Sequence, residues 1–123
     1  MFQLRRHFVS VTGLCRCEYE WGLRVHFFAV DAGLSEEQIE ATARASADHP
    51  AWTEEDRLLL RLAEELHENC TISDGLWTAL RPTFSEEAIL QLLMIAGHYR
   101  TTAYIANSLK LPLEAGRARP FPA

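Results

Sequence analysis

Cys17-Glu18-Tyr19-Glu20-Trp21-Gly22, followed by Arg24 and His26, places a thiol, two carboxylates, a phenol, a guanidinium and an imidazole within ten residues. On a helix, Cys17, Glu20 and Arg24 fall at i, i+3 and i+7 and share one face. Tyr19 and His26, seven apart, lie near each other elsewhere on the circumference. A thiol in the first turn of a helix is drawn toward thiolate by the dipole, and Arg24 adds to that pull. Glu20 opposes it as an anion, or serves as a base toward the thiol or a substrate. On this reading Cys17 is a reactive nucleophile, with Glu20, Tyr19 and His26 as its acid and base neighbours. The alternative is a buried small hydrophobe beside a Glu20–Arg24 ion pair at i,i+4.

His98-Tyr99-Arg100 is the other concentration of polar chemistry. His98 or Tyr99 lines a pocket near Glu20, together with Trp21 and Arg24, or Tyr99 is simply a packed aromatic. Trp21, Trp52 and Trp77 suit the core or subunit contacts. Cys15 and Cys17 sit two apart, so on a helix they face different ways and a disulfide between them is strained. A metal site there would recruit His7 or His26, but the spacing matches no common zinc pattern, so neither metal nor cofactor is expected. Cys70 falls in a polar turn and reads as a bystander or, alternatively, as a remote resolving cysteine.

The elements that must position these residues announce their own starts. Leu34-Ser35-Glu36-Glu37-Gln38-Ile39 carries a cap at Ser35, a capping box closed by Gln38 and a Leu34–Ile39 staple. Phe84-Ser85-Glu86-Glu87-Ala88-Ile89 repeats the cap and staple without the box partner. Thr53-Glu54-Glu55-Asp56 is a third start. Each sets acids in a first turn, where the dipole favours them.

Apolar residues then recur at helical spacing. Leu58, Leu59, Leu62, Ala63 and Leu66 form one stripe. Leu76, Trp77 and Leu80 form a short one after Ser73-Asp74. Ile89, Leu92, Leu93, Ala96, Ala103 and Ala106 form a long one. Around Leu90 to Ile95 that last segment is apolar on nearly every side, which predicts a central buried helix. Phe8-Val9-Ser10-Val11-Thr12 is β-branched and alternating, but it has no second strand to pair with and reads as helix, broken at Gly13. Ala32-Gly33 and Leu111-Pro112 close the first and last helical regions. The expectation is an all-α bundle of about five to six helices over 1–115, with a Pro/Arg tail at 116–123 that is disordered or lies on a partner.

The bulk numbers set outer bounds. The 123 residues suit one domain, with 48% hydrophobic and 24% charged residues. The net charge is −5 and the basic residues are scattered, which argues against nucleic acid. The longest apolar stretch, Ala88 to Gly97, is too short to span a bilayer. Arg5-Arg6-His7-Phe8-Val9 resembles a twin-arginine export signal, but Gly13, Cys15, Arg16, Cys17 and Glu18 interrupt the apolar segment that must follow. Cytoplasmic residence is expected. Three cysteines, an odd number, argue for free thiols. The exposed aromatics and the long apolar helix predict a homo-oligomer.

Taken together, Cys17 to Gly22 resembles the Tyr-Glu-Trp signature of the carboxymuconolactone decarboxylase family, which includes the alkylhydroperoxidase D-like proteins. Gly33-Leu34-Ser35-Glu36-Glu37, Glu55-Asp56-Arg57-Leu58-Leu59, Ile72-Ser73-Asp74-Gly75-Leu76-Trp77, Gly97-His98-Tyr99 and Asn107 follow in the family's usual order. The resemblance implies an all-helical, alkylhydroperoxidase D-like fold that assembles into trimers or hexamers. It also implies peroxide reduction with an external thiol reductant, or decarboxylation of a lactone ring. Peroxidase members of the family use Cys-X-X-Cys-X-X-X-His with an upstream glutamate. On this chain those positions fall at Cys17, Glu20, Arg24 and Arg5, so one of the four matches. Three readings follow. They are a single-cysteine peroxidase at Cys17, an acid/base decarboxylase with Glu20 or His26 as base, and an oligomeric small-ligand or partner-binding protein without catalysis.

Overall fold

The computed structural model describes residues 7, 10–28, 31, 33–44 and 47–122. Arg5, Arg6, Phe8, Val9 and Ala32, named above, lie outside the described residues. A helical segment at 10–14 comes first. Five helices follow: α1 Glu18–Phe28, α2 Glu36–Arg44, α3 Glu54–Asn69, α4 Asp74–Leu80 and α5 Glu86–Ser108. Among the described residues there is no strand, so the fold is all-α. The β-branched stretch at 10–12 is helical, because an isolated strand has nowhere to send its backbone hydrogen bonds.

The helix starts are built as their side chains dictate. Ser35 Oγ accepts from Gln38 N at 3.1 Å, and Gln38 Oε1 accepts from Ser35 N at 3.0 Å. That reciprocal pair is a capping box. Thr53 caps Asp56, Ser73 caps Leu76 and Ser85 caps Ala88, each through its hydroxyl and the backbone N–H three residues on. Each such cap stabilises its helix by roughly 1 kcal/mol.

The 23 residues of α5 make it the spine of the fold. Near its start, Ile89 and Leu92 pack with Leu59 and Leu62 of α3 and Leu76 and Leu80 of α4. Mid-way, Ala96 and Tyr99 meet Val11 and Ala63. Toward its end, Ala103 and Ala106 close over Cys17. A further apolar cluster joins Trp21 and Val25 of α1 to Ile39 of α2, Trp52 and Leu60. Burying a side chain such as Leu62, which is fully enclosed, contributes about 2 kcal/mol.

Three expectations are corrected. α5 is buried on one face only: Leu90, Met94, Tyr104 and Ile105 are more than half exposed, and among the described residues no further layer covers them. Of the two places expected for Trp77, core or subunit contact, the core is ruled out: it lies on the surface of α4 with Arg81 over its ring, while Leu76 and Leu80 take the inward positions. The segment from Gly116 lies on its own chain. Arg119 N donates to the Gly22 carbonyl at 3.1 Å, its guanidinium makes two bonds to Glu36, and the Phe121 ring sits 5.1 Å from that of Trp21. Gly22 permits this approach, since a Cβ there would collide with the Arg119 carbonyl.

Candidate active site

The turn between the segment 10–14 and α1 decides where the first two thiols go. Cys17 N donates to Thr12 O and Arg16 N to Gly13 O, both at 3.0 Å, and Arg16 has φ 53. This is a Schellman motif with Arg16 in its left-handed position. The helix therefore ends after Leu14 rather than breaking at Gly13. Gly13 is needed for another reason, since a Cβ there would strike the Thr42 carbonyl of α2. Cys15 stays at the end of the first helical segment, with its carbonyl accepting from Asn107 Nδ2 at 3.1 Å. Cys17 is turned the other way, onto α5.

Cys17 is completely enclosed by Ala103, Ala106 and the partly buried Cys15 and Tyr19. Burial pushes its thiol up, and the nearby Glu20 carboxylate adds to the rise. The backbone N–H groups of Glu20 and Tyr19 pull the other way, but they do not offset the loss of water. The expected dipole-activated thiolate is thus reversed by desolvation.

The other residues named from the sequence divide into two groups. Glu20, Arg24 and Tyr99 come together. Arg24 Nε donates to Glu20 Oε2 at 3.3 Å, and the Arg24 guanidinium carbon stands 5.2 Å from the centre of the Tyr99 ring. Burial raises the Tyr99 phenol, which the positive Arg24 partly counters. The rest disperse. Tyr19 donates its hydroxyl to Glu114 at 3.0 Å. His26 is exposed and meets its neighbour Phe27 edge-on. His98 is exposed and touches the adjacent Tyr99. Trp21 is fully buried in the core, its indole N–H donating to Thr42 Oγ1 at 3.0 Å. Of the four expected catalytic residues, Tyr19 packs against Cys17 and the Glu20 carboxylate lies near it, whereas His26 is exposed beside Phe27; of the expected pocket residues, Arg24 stands over Tyr99, while Trp21 is core and His98 is exposed.

A cavity of about 280 Å³ opens instead between the segment 10–14, α3 and α5. Its walls are apolar, with Val11, Leu14, Ala63, Leu66, Leu93 and Ala96 among them. Cys15, His67, Cys70, Arg100 and Tyr104 also line it. Cys15 Sγ lies 3.9 Å from His67 Nδ1. The Arg100 side chain donates to the His67 and Leu66 carbonyls and, through Nε, to the Tyr104 hydroxyl at 2.7 Å. Burial raises the Cys15 thiol, Arg100 opposes the rise, and Cys17 adds to it. Among the described residues, no cluster of three or more His, Cys, Asp or Glu side chains is arranged to hold a metal ion.

The chain matches no protein-family model, no curated protein and no solved structure. The site's chemistry therefore rests on its own geometry. At the wall of the apolar cavity a thiol and an imidazole stand together, the two groups of a nucleophile–base pair, with burial holding the thiol in its protonated form. Sequence reasoning passed over His67, weighed Cys15 only for a disulfide or a metal site, and left Cys70 as a bystander or a remote resolving cysteine. The one available signal is the i,i+3 spacing of His67 and Cys70 at the end of α3. Nothing in the spacing links either to Cys15. Among the described residues, no helix is long and apolar enough to cross a membrane.

Proposed function

We propose that the chain is a carboxymuconolactone decarboxylase-like protein of the alkylhydroperoxidase D-like type, and that it reduces organic hydroperoxides with electrons from an external thiol. The observation that supports this best is the Cys15–His67 contact at the wall of an apolar cavity. Cys15 takes the role that the family resemblance assigns to Cys17. The apolar lining suits a hydroperoxide with a hydrocarbon body over hydrogen peroxide itself.

The chemistry runs in two stages. His67 accepts the Cys15 proton through Nδ1, and the thiolate attacks the terminal oxygen of ROOH. The O–O bond breaks, RO⁻ takes a proton from His67 and leaves as ROH, and Cys15 becomes a sulfenic acid. Sulfur loses two electrons and the peroxide gains them. One external thiol condenses with the sulfenic acid, releasing water and leaving a mixed disulfide, and a second thiol displaces the protein thiol.

The test is turnover of cumene hydroperoxide with dithiothreitol. Activity is expected in the wild type and in Cys17→Ala, and it should vanish in Cys15→Ser. Equal activity in Cys15→Ser and the wild type would rule the reading out.

A second reading is favoured by the Glu20–Arg24 pair: mutual neutralisation at the family's site positions suits a small-ligand binder without catalysis. The exposed apolar side chains of α5 support self-association in either case, as a cytoplasmic homo-oligomer such as a trimer or hexamer. A monomer mass in light scattering at micromolar concentration would remove that part.

A further inference from the structure

We propose, building on the reading of Cys15 as the peroxide-reacting thiol, that Cys70 is its resolving partner and that the two close a disulfide across the mouth of the cavity. Both thiols line the same cavity, one from the end of the first helical segment and one from the end of α3. The two ends are already tied together. His67, three residues before Cys70, meets Cys15 at 3.9 Å. The Leu66 carbonyl accepts from both Cys70 N at 3.2 Å and Arg100 Nη1 at 3.5 Å. Both thiols lie within electrostatic reach of the Arg100 guanidinium, which favours the thiolate at Cys15.

The two cysteines differ in the way this division of labour requires. Cys15 is half-buried against the apolar wall, where a hydrocarbon hydroperoxide would lie, whereas Cys70 is exposed. Cys70 is also the C-cap of α3 with φ 57, a conformation that glycine adopts at no cost. Cys17, although only two residues from Cys15, is sealed under Ala103 and Ala106 and is not among the residues that line the cavity.

The step balances without a further oxidant. Cys15–SOH plus Cys70–SH gives Cys15–S–S–Cys70 and one water, with the Cys70 sulfur displacing hydroxide and its own proton completing the water. Each cycle thus consumes one ROOH, yields one ROH and leaves one disulfide. An external dithiol reduces that disulfide by exchange.

The experiment treats the fully reduced chain with one equivalent of cumene hydroperoxide in the presence of dimedone, blocks remaining thiols by alkylation and maps the peptides by mass spectrometry. Wild type should give a linked Cys15–Cys70 peptide in a monomeric chain and little dimedone adduct. Cys70→Gly, which suits the left-handed turn, and Cys70→Ser should both accumulate the adduct at Cys15, at least tenfold above wild type. Cys17→Ala should behave as wild type. An adduct at Cys15 that is equally abundant in wild type and both Cys70 variants overturns the resolving role but leaves the Cys15 reading intact. Disulfides that link two chains overturn it likewise. No oxidation of Cys15 in any variant overturns both.

Discussion

Cys15 Sγ and His67 Nδ1 stand 3.9 Å apart, although 52 positions separate them in the chain. The Schellman turn at Arg16 produces this contact. It leaves Cys15 facing α3 and swings Cys17 onto α5. Of two thiols two residues apart, one borders a cavity and an imidazole, and the other is core.

Because burial holds the Cys15 thiol above the ordinary range, its thiolate is scarce at neutral pH. Alkylation of Cys15 by iodoacetamide should therefore accelerate about tenfold per pH unit through the neutral and mildly alkaline range. Arg100 opposes the rise, so Arg100→Met should slow the reaction throughout that range while Arg100→Lys restores it. Peptide-resolved alkylation rates check this. A rate that is flat from pH 6 upward would show a thiolate already formed.

Cys17 should behave as a packing residue. Cys17→Ala removes only a sulfur from an enclosed site and should cost about 1 kcal/mol. Ala103→Leu forces a larger side chain against the same spot and should cost about 1–3 kcal/mol. Urea unfolding curves measure both. A Cys17→Ala variant as stable as the wild type but slower in alkylation at Cys15 would mean that Cys17 acts through chemistry instead.

The caps, stripes and helical class were legible in the sequence because each is a local rule. Ser35 and Gln38 need only each other, and Leu59, Leu62 and Ala63 need only the period of one helix. The site was not legible, because it depends on which way a turn throws its residues. Placing Cys17 at the start of a helix was right, since Trp21 N donates to its carbonyl just ahead of α1, but the first-turn thiol's reactivity inferred from it ignored the desolvation of a completely enclosed side chain. The i,i+4 logic did find the Glu20–Arg24 pair, which lies within one helix. The seat of Phe121 beside Trp21 joins sequence ends that no periodicity connects. Uncovered apolar surface on so short a chain was anticipated, but its place on Leu90 and Met94 was not, because apolar composition tells how much surface needs covering and not which face the other helices take.

The C-terminal strap should fail from either side of its contact. Gly22→Ala puts a methyl group where the Arg119 carbonyl lies, and Phe121→Ala removes the ring against Trp21. Phe121 is only partly buried, so its loss should cost about 1–2 kcal/mol, below the 3–5 kcal/mol of a fully buried phenylalanine. Each variant should expose Trp21 and red-shift tryptophan emission. The double variant should cost less than the sum, since both break one contact. Strict additivity would mean that the strap's two anchors act separately.

His7 gives the fold an acid limit. It is fully buried, its Nε2 lies 3.3 Å from the Leu92 carbonyl of α5, and burial lowers its pKa to about 4. The unfolded chain takes up the proton near the ordinary histidine value of about 6.5, whereas the native state resists it. The unfolded state thus binds more protons between those values, and stability falls as pH drops through that window. The full loss from this group, reached near pH 4, is on the order of 3 kcal/mol. Above about pH 7 it contributes no pH dependence. His7→Gln keeps a donor for Leu92 without titrating, so its unfolding free energy should fall less than that of the wild type between pH 6.5 and 4.5. Parallel curves for the two proteins over that range would show that His7 does not set the acid limit.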